Sequence, residues 1–101
     1  MNNEPDAQLE TRLVRVRGRV QGVGFRYACA QQARALGVTG WVRNRLDDSV
    51  EAMLQGAPAQ VARMCEWMGQ GAPPAVVHGI EVTQAPPPHP RFDNFEQRPT
   101  E

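Results

Sequence analysis

The chain has 101 residues, of which eleven are basic and eleven acidic, so its formal net charge is zero. This length allows one domain with a single hydrophobic core. The neutral balance argues against an electrostatic nucleic-acid binder, and no apolar run approaches the roughly 20 residues that span a bilayer.

The first ten residues, MNNEPDAQLE, have neither the basic start nor the apolar centre of a secretory signal. We therefore expect a cytoplasmic protein. Residues 1–10 are predicted to form a frayed leader ahead of one domain over residues 11–98.

The first predicted strand covers residues 11–17, where apolar and basic side chains alternate. Val14 and Val16 should face the core, because alternate residues of a strand share a face. Arg15 and Arg17 should face outward.

A glycine-rich turn follows, since Gly18 to Arg26 reads GRVQGVGFR and leads into a segment of helical spacing. Its three glycines permit positive φ angles, so several backbone N–H groups can point into one hollow. The helix that opens there adds unpaired N–H groups and the positive end of its dipole. The pattern predicts a small anion site.

Arg26 lies in the first turn of that helix, where a cation opposes the helix dipole. A residue placed against its local preference indicates a functional requirement. Its guanidinium can hold two oxygens of a phosphate or a carboxylate. The alternative is a solvated surface arginine beside an ordinary turn, because glycine spacing alone is weak evidence.

The first helix is predicted from apolar residues that recur near a 3.6-residue period, with Gly37 as its stop. Residues 38–46 and 49–55 then alternate as two strands. Only Asp47 and Asp48 separate them, which predicts a two-residue hairpin turn.

Asn44 is a polar residue on the first arm of that hairpin, on the same face as Val42 and Leu46. If those two apolar residues pack inward, Asn44 lies on the core side of the sheet. A buried amide without partners costs on the order of 1 to 3 kcal/mol. Asn44 therefore faces a polar site, or lies at a frayed strand end where it binds water.

The rest of the chain adds a helix and two strands. A stripe of apolar residues after Pro58 predicts the second helix. Residues 76–82 form a strand, residues 85–90 a proline-rich loop, and Phe92 and Phe95 fit a short final strand.

This order predicts an α+β, ferredoxin-like βαββαβ sandwich: an antiparallel sheet with two helices on one face and a short extra C-terminal strand. Right-handed crossovers place the first strand beside the third. The glycine turn and Asn44 can then meet at one corner.

The two cysteines, Cys29 and Cys65, form no CxxC pattern and have no nearby histidine pair. We predict no metal and no cofactor. Both cysteines fit apolar helix faces, as buried free thiols do in a reducing compartment.

Two motifs resemble the acylphosphatase family. The first family motif, G-x-V-Q-G-V-x-F-R after a strand, is matched by Gly18, Val20, Gln21, Gly22, Val23, Phe25 and Arg26. The second, G-W-V-x-N with a hairpin and V-E, is matched by Gly40, Trp41, Val42, Asn44, Val50 and Glu51. The chain departs from the family pattern in its hairpin turn, where glycine is usual and Asp48 stands here.

The resemblance implies a hydrolase that cleaves the carboxyl-phosphate bond of acyl phosphates without a metal or organic cofactor. It assigns phosphate binding to Arg26 and orientation of the attacking water to Asn44. The phosphate-binding loop carried over from the family comprises Arg19, Val20, Gln21, Gly22, Val23 and Gly24. Because asparagine is no conventional general base, the substrate's own phosphate would take the proton, as is proposed for the family.

The sequence leaves two other classes of function to consider. An RNA-binding module would stack bases on exposed aromatic rings, but the outward residues Arg15 and Arg17 are charged and only Trp41 offers a ring. A non-catalytic domain that binds phosphate or carbamoyl phosphate for a partner enzyme is the nearer alternative. We expect a free-standing monomer that acts on a small-molecule acyl phosphate, with no nucleic-acid or membrane partner.

Overall fold

The computed structural model describes residues 9–85 and 89–101. Its elements are β1 (Glu10–Arg19), α1 (Phe25–Leu36), β2 (Thr39–Asn44), β3 (Val50–Gly56), α2 (Pro58–Gln70), β4 (Val76–Gln84) and β5 (Phe95–Arg98). The predicted order of helices and strands is confirmed. Residues 1–8 of the expected leader and residues 86–88 of the proline-rich loop lie outside the described residues.

The five strands form one sheet in the order β4-β1-β3-β2-β5. β1 lies beside β3, as predicted, and pairs antiparallel with both β3 and β4. β2 pairs antiparallel with β3. β5 pairs parallel with β2, so the sheet is mixed, whereas the prediction described it as antiparallel.

One hydrophobic core lies between the sheet and both helices, which confirms the two-layer sandwich. Val14 and Val16 are fully buried on β1, as predicted. α1 packs on β2 and β5, and α2 packs on β1 and β4. The rings of Phe25 and Trp67 stack with centroids 5.9 Å apart and so join the two helices.

The opposite face of the sheet carries a row of charged side chains in cross-strand register. Arg15 lies opposite Glu51 on one side and Glu81 on the other, and Arg43 lies opposite Glu51 and Arg98. The pairs of arginine with glutamate stabilise the sheet, because their charges are opposite, whereas Arg43 and Arg98 are a pair of like charges. Glu51 is the centre of this row.

The turn between β2 and β3 differs from the prediction. Asp48 N–H donates to Arg45 O at 3.1 Å, and Arg45 N–H donates to Ser49 O at 2.8 Å, so the loop has three residues, 46–48. Asp48 has a φ of 74°, which is the left-handed third position of such loops. Of the two residues whose inward packing was the condition for placing Asn44 on the core side, Val42 is buried and Leu46 is 84% exposed.

The two cysteines differ in burial. Cys29 is buried and free, as predicted, and burial raises the pKa of its thiol. Cys65 is free but only half-buried, because it lies at the edge of the stripe of α2, where Arg12 Nη1 comes within 3.9 Å of its sulfur. The prediction of burial is therefore correct for one thiol and wrong for the other.

Glu51 combines burial with three arginine partners, since its side chain is 7% exposed and its oxygens accept hydrogen bonds from Arg43, Arg15 and Arg45. Burial works to raise the pKa of this carboxyl, but the hydrogen bonds from Arg43 and Arg15 hold the pKa below its ordinary value. A carboxyl whose pKa is lower in the folded chain stabilises the fold above its unfolded pKa. That stabilisation is lost as the pH falls through the folded pKa.

We expect Glu51→Gln to lower the free energy of unfolding at pH 7 by about 1 to 3 kcal/mol, because charge-assisted hydrogen bonds are lost. The variant should also lose less stability than the wild type between pH 7 and pH 3. Urea unfolding at both pH values measures this. Glu81→Gln, on the exposed edge of the same row, is the control and should unfold like the wild type. If Glu51→Gln also unfolds like the wild type at both pH values, the ion pairs of Glu51 do not stabilise the fold.

Candidate active site

The loop after β1 and the end of β2 meet at one corner of the domain, around a hollow of about 150 Å³. The residues that line it are Val20, Gly22, Gly24, Phe25, Arg26, Tyr27, Asn44 and Gln97. The predicted meeting of the glycine turn with Asn44 is thus confirmed. The hollow takes side chains from the loop, the first turn of α1, β2 and β5.

Two glycines give the loop its shape. Gly22 has a φ of 75° and Gly24 a φ of 78°, both in the left-handed region that other residues rarely adopt. A Cβ at either position would meet no atom within 4 Å, so the backbone conformation rather than lack of space favours glycine. Gly24 is also the N-cap of α1, where its conformation turns the chain into the helix.

The loop and the helix start offer free backbone donors. Among residues 9–85 and 89–101, no atom accepts a hydrogen bond from the backbone N–H of residues 21–24. The hydrogen bond of α1 closest to its start runs from Ala28 N–H to Gly24 O at 3.0 Å, and the N-cap makes no side-chain hydrogen bond. Unpaired N–H groups at a helix start favour an anion.

Arg26 supplies the positive charge of the hollow. Its Nη1 donates to the backbone oxygen of Arg98 at 3.0 Å, which fixes one side of the guanidinium and leaves its other donors for a ligand. The lining residues from the described part of the chain include no Asp or Glu to neutralise it. The hollow therefore suits an anion.

Asn44 is the last residue of β2 and is held through its backbone, because its carbonyl oxygen accepts a hydrogen bond of 3.0 Å from Glu101 N–H. Its side-chain Oδ1 is buried and has no hydrogen-bond partner among the described residues. An unsatisfied buried amide oxygen is uncommon and calls for an explanation, of which a role at a polar site is one.

Gln21 joins the two halves of the site. Its Nε2 donates to Arg45 O at 2.8 Å and to Ser49 O at 2.9 Å, so the glycine loop is tied to the hairpin that follows Asn44. The Gln21 side chain thus holds backbone rather than lining the hollow.

The six predicted phosphate-loop residues separate into two groups. Val20, Gly22 and Gly24 line the hollow, whereas Arg19, Gln21 and Val23 do not. Arg19 is exposed at the end of β1, and Val23 packs against the core. Substrate binding by these residues stays a prediction, which for Gln21 and Val23 rests on their backbone N–H groups.

Three lining residues were not predicted: Phe25, Tyr27 and Gln97. Tyr27 directly follows Arg26 in the sequence, so its place beside the hollow could have been predicted from the position of Arg26. Gln97 reaches the corner because it lies opposite Val42 in the parallel pairing of β5 with β2. Nothing in the sequence pattern indicated that pairing.

Within residues 9–85 and 89–101, no three His, Cys, Asp or Glu side chains lie close enough together to hold a metal ion. In that same part of the chain, neither helix has the length and apolar character needed to cross a membrane.

An α+β sandwich with an arginine, free amides and an asparagine around one hollow defines an anion-binding domain suited to phosphoryl groups. The family model described as Acylphosphatase matches residues 12–97 of the chain. The chain belongs to the acylphosphatase family.

Similar proteins and solved structures agree with this family assignment. "Acylphosphatase 1" of Ralstonia nicotianae is 67% identical over 94 residues, which is 93% of this chain and 92% of that protein. The structure of an acylphosphatase from Coxiella burnetii has a TM-score of 0.88 at 28% identity and covers 96% of this chain and 100% of that one. The prediction of an acylphosphatase, a hydrolase of acyl phosphates, is confirmed.

The same fold also occurs inside a larger protein. Full-length HypF, in a phosphate- and nucleotide-bound form, matches 92% of this chain with a TM-score of 0.82 and 21% identity. The match covers 12% of the HypF chain. At this identity the similarity concerns the fold alone.

We expect Gln21→Ala to lower the free energy of unfolding by about 1 to 3 kcal/mol, because two hydrogen bonds between the loop and the hairpin are lost. It should also weaken inhibition by inorganic phosphate, since the loop is no longer tied to the hairpin. Urea unfolding and phosphate inhibition of hydrolysis measure the two effects. Gln60→Ala, at an exposed position of α2, is the matched control. Gln21→Ala with wild-type stability and phosphate inhibition would contradict this role.

Proposed function

We propose that this acylphosphatase acts at the hollow around Arg26 and Asn44, by in-line attack of a water molecule on the phosphoryl group of a small-molecule acyl phosphate. The observation that supports this most is that Arg26, the glycine loop and the unpaired Asn44 Oδ1 converge on one hollow. Hydrolysis of an acyl phosphate requires donors for the phosphoryl oxygens and an acceptor for the attacking water, and these groups supply both.

Arg26 and the backbone amides bind the phosphoryl oxygens in this proposal. The guanidinium gives paired N–H donors, and the loop and helix start give fixed N–H groups. Donors fixed before the reaction stabilise charge on the phosphoryl oxygens in the transition state without reorganising. Arg26 therefore contributes to both binding and turnover.

Asn44 orients the attacking water in this proposal, because its Oδ1 can accept a hydrogen bond from water and hold it in line with the leaving oxygen. The water oxygen forms a bond to phosphorus as the bond between phosphorus and the acyl oxygen breaks. The electron pair of that bond leaves with the carboxylate. The proton of the water passes to a phosphoryl oxygen, so the products are a carboxylate and inorganic phosphate.

The two other classes of function have less support. Trp41 is 7% exposed and lies under the guanidinium groups of Arg43 and Arg98, at 4.7 and 5.1 Å from its ring centroid, so its ring is not free to stack on a base. A non-catalytic domain acting with a partner enzyme would bind phosphate without turnover.

We also propose that residues 11–98 form one catalytic domain of a monomeric, cytoplasmic protein.

We expect Arg26→Ala and Asn44→Ala each to lower kcat by about 10²- to 10³-fold, or roughly 2.7 to 4 kcal/mol, by analogy with a lost oxyanion donor. Arg26→Ala should also weaken phosphate inhibition, whereas Asn44→Ala should leave it nearly unchanged. Hydrolysis of benzoyl phosphate in buffer with EDTA, followed by ultraviolet absorbance, measures both. Circular dichroism checks that the variants are folded.

Matched controls for this experiment are Arg63→Ala and Asn94→Ala, which remove the same side-chain types from exposed positions outside the hollow. Both controls should keep wild-type turnover. Full activity of folded Arg26→Ala and Asn44→Ala would remove the assignment. A wild type that binds phosphate but turns over no acyl phosphate would instead indicate the binding domain.

The proposed set contains no His, Cys, Asp or Glu, and neither arginine nor asparagine titrates near neutrality. We expect kcat to vary little between about pH 5 and pH 8, since no titrating catalytic group is required. A pH series of the maximal rate with benzoyl phosphate measures this. A bell-shaped profile with both limbs inside that window would show that a titrating residue takes part.

A further inference from the structure

The hollow carries an exposed aromatic ring that phosphate binding does not use. Tyr27 lines the hollow and is 60% exposed, although aromatic side chains are usually more buried. Its hydroxyl oxygen accepts a hydrogen bond of 3.2 Å from Gln31 Nε2, one turn along α1. The hydroxyl is thus turned to a neighbour on α1, while the ring itself lies at the rim of the hollow.

The other lining residues offer little apolar surface to a ligand. Val20 and Phe25 are 1% and 2% exposed, and their side chains belong to the core. Gly22 and Gly24 have no side chains, while Arg26, Asn44 and Gln97 end in polar groups. Among the lining residues, Tyr27 is therefore the one that presents an accessible apolar face.

The volume of the hollow leaves the acyl group at the rim. About 150 Å³ is roughly the volume of an engineered cavity that holds one benzene molecule. A phosphoryl group with its bridging oxygen has five heavy atoms and fills most of this space. The acyl substituent must extend outward, where an exposed ring beside Arg26 can pack against it.

We infer that the ring of Tyr27 contacts the acyl group of the substrate and makes this acylphosphatase favour aromatic over small aliphatic acyl phosphates. This inference rests on the proposed function of the same hollow. Tyr27 belongs to α1 and Asn44 to β2, so the ring and the amide reach the hollow from different elements. Contact between aromatic rings stabilises beyond the burial of surface, because their charge distributions are complementary.

The test compares kcat/KM for benzoyl phosphate and acetyl phosphate in the wild type, Tyr27→Phe and Tyr27→Ala. Tyr27→Ala should lower the ratio of benzoyl to acetyl kcat/KM by about three- to tenfold, chiefly through a higher KM for benzoyl phosphate. Tyr27→Phe keeps the ring and should keep the ratio. The control Val82→Ala removes exposed apolar surface on β4, outside the hollow, and should not change the ratio.

Inhibition by phenylphosphonate and by methylphosphonate gives a second readout that does not depend on turnover. Tyr27→Ala should weaken inhibition by phenylphosphonate more than inhibition by methylphosphonate. An unchanged ratio of kcat/KM, or equal losses on both substrates, would overturn the inference. Failure of the proposed function is distinct, since it would appear as undiminished acetyl phosphate turnover in Arg26→Ala and Asn44→Ala.

Discussion

The two hydrogen bonds from Gln21 Nε2 to Arg45 O and Ser49 O connect the two parts of the chain on which the site depends. The pairing of β1 with β3 brings these parts together, because the end of β1 and the start of β3 then lie at the same edge of the domain. Strand pairing fixes the ends of the strands, but it leaves the glycine loop and the hairpin loop free to move relative to each other. The Gln21 amide restricts both loops, because it ties the glycine loop to Arg45, the residue after Asn44 and 24 residues along the chain.

The opposite face of the sheet supports the same corner through the C-terminal residues. Arg43 contacts Glu51 on one side and Glu101 on the other, and Glu101 N–H donates to the backbone oxygen of Asn44. The backbone oxygen of Arg98 in turn accepts from Arg26. Both proposed catalytic residues therefore contact the C-terminal residues, Arg26 at the last residue of β5 and Asn44 at Glu101. A cluster of ion pairs on the solvent face thus positions polar groups on the core face.

The fold followed from the sequence because its signals are local: alternating valines in β1, an apolar stripe in α2, and glycine stops. The meeting of the glycine loop with Asn44 followed from strand order. The hairpin was correct but its predicted loop length was wrong, because Asp47 and Asp48 were taken as a complete turn, whereas the last hydrogen-bonded pair joins Arg45 and Ser49. Gln97 and the carbonyl of Arg98 could not be predicted, since they depend on how a short strand pairs at long range.

Several locally unfavourable features are found at this one corner. Arg26 opposes a helix dipole, Asn44 Oδ1 is buried without a partner, and two glycines of the loop have positive φ angles. The first two features cost stability, whereas glycine adopts a positive φ without strain. A folded chain keeps unfavourable features where the surrounding structure compensates for them. Here the compensation comes from the continuous core beneath α1 and from the arginine cluster around Glu51. A phosphoryl group bound in the hollow would accept hydrogen bonds from the free amides and the arginine, and the attacking water would donate to the amide oxygen. The same arrangement that weakens the empty corner therefore favours its proposed substrate.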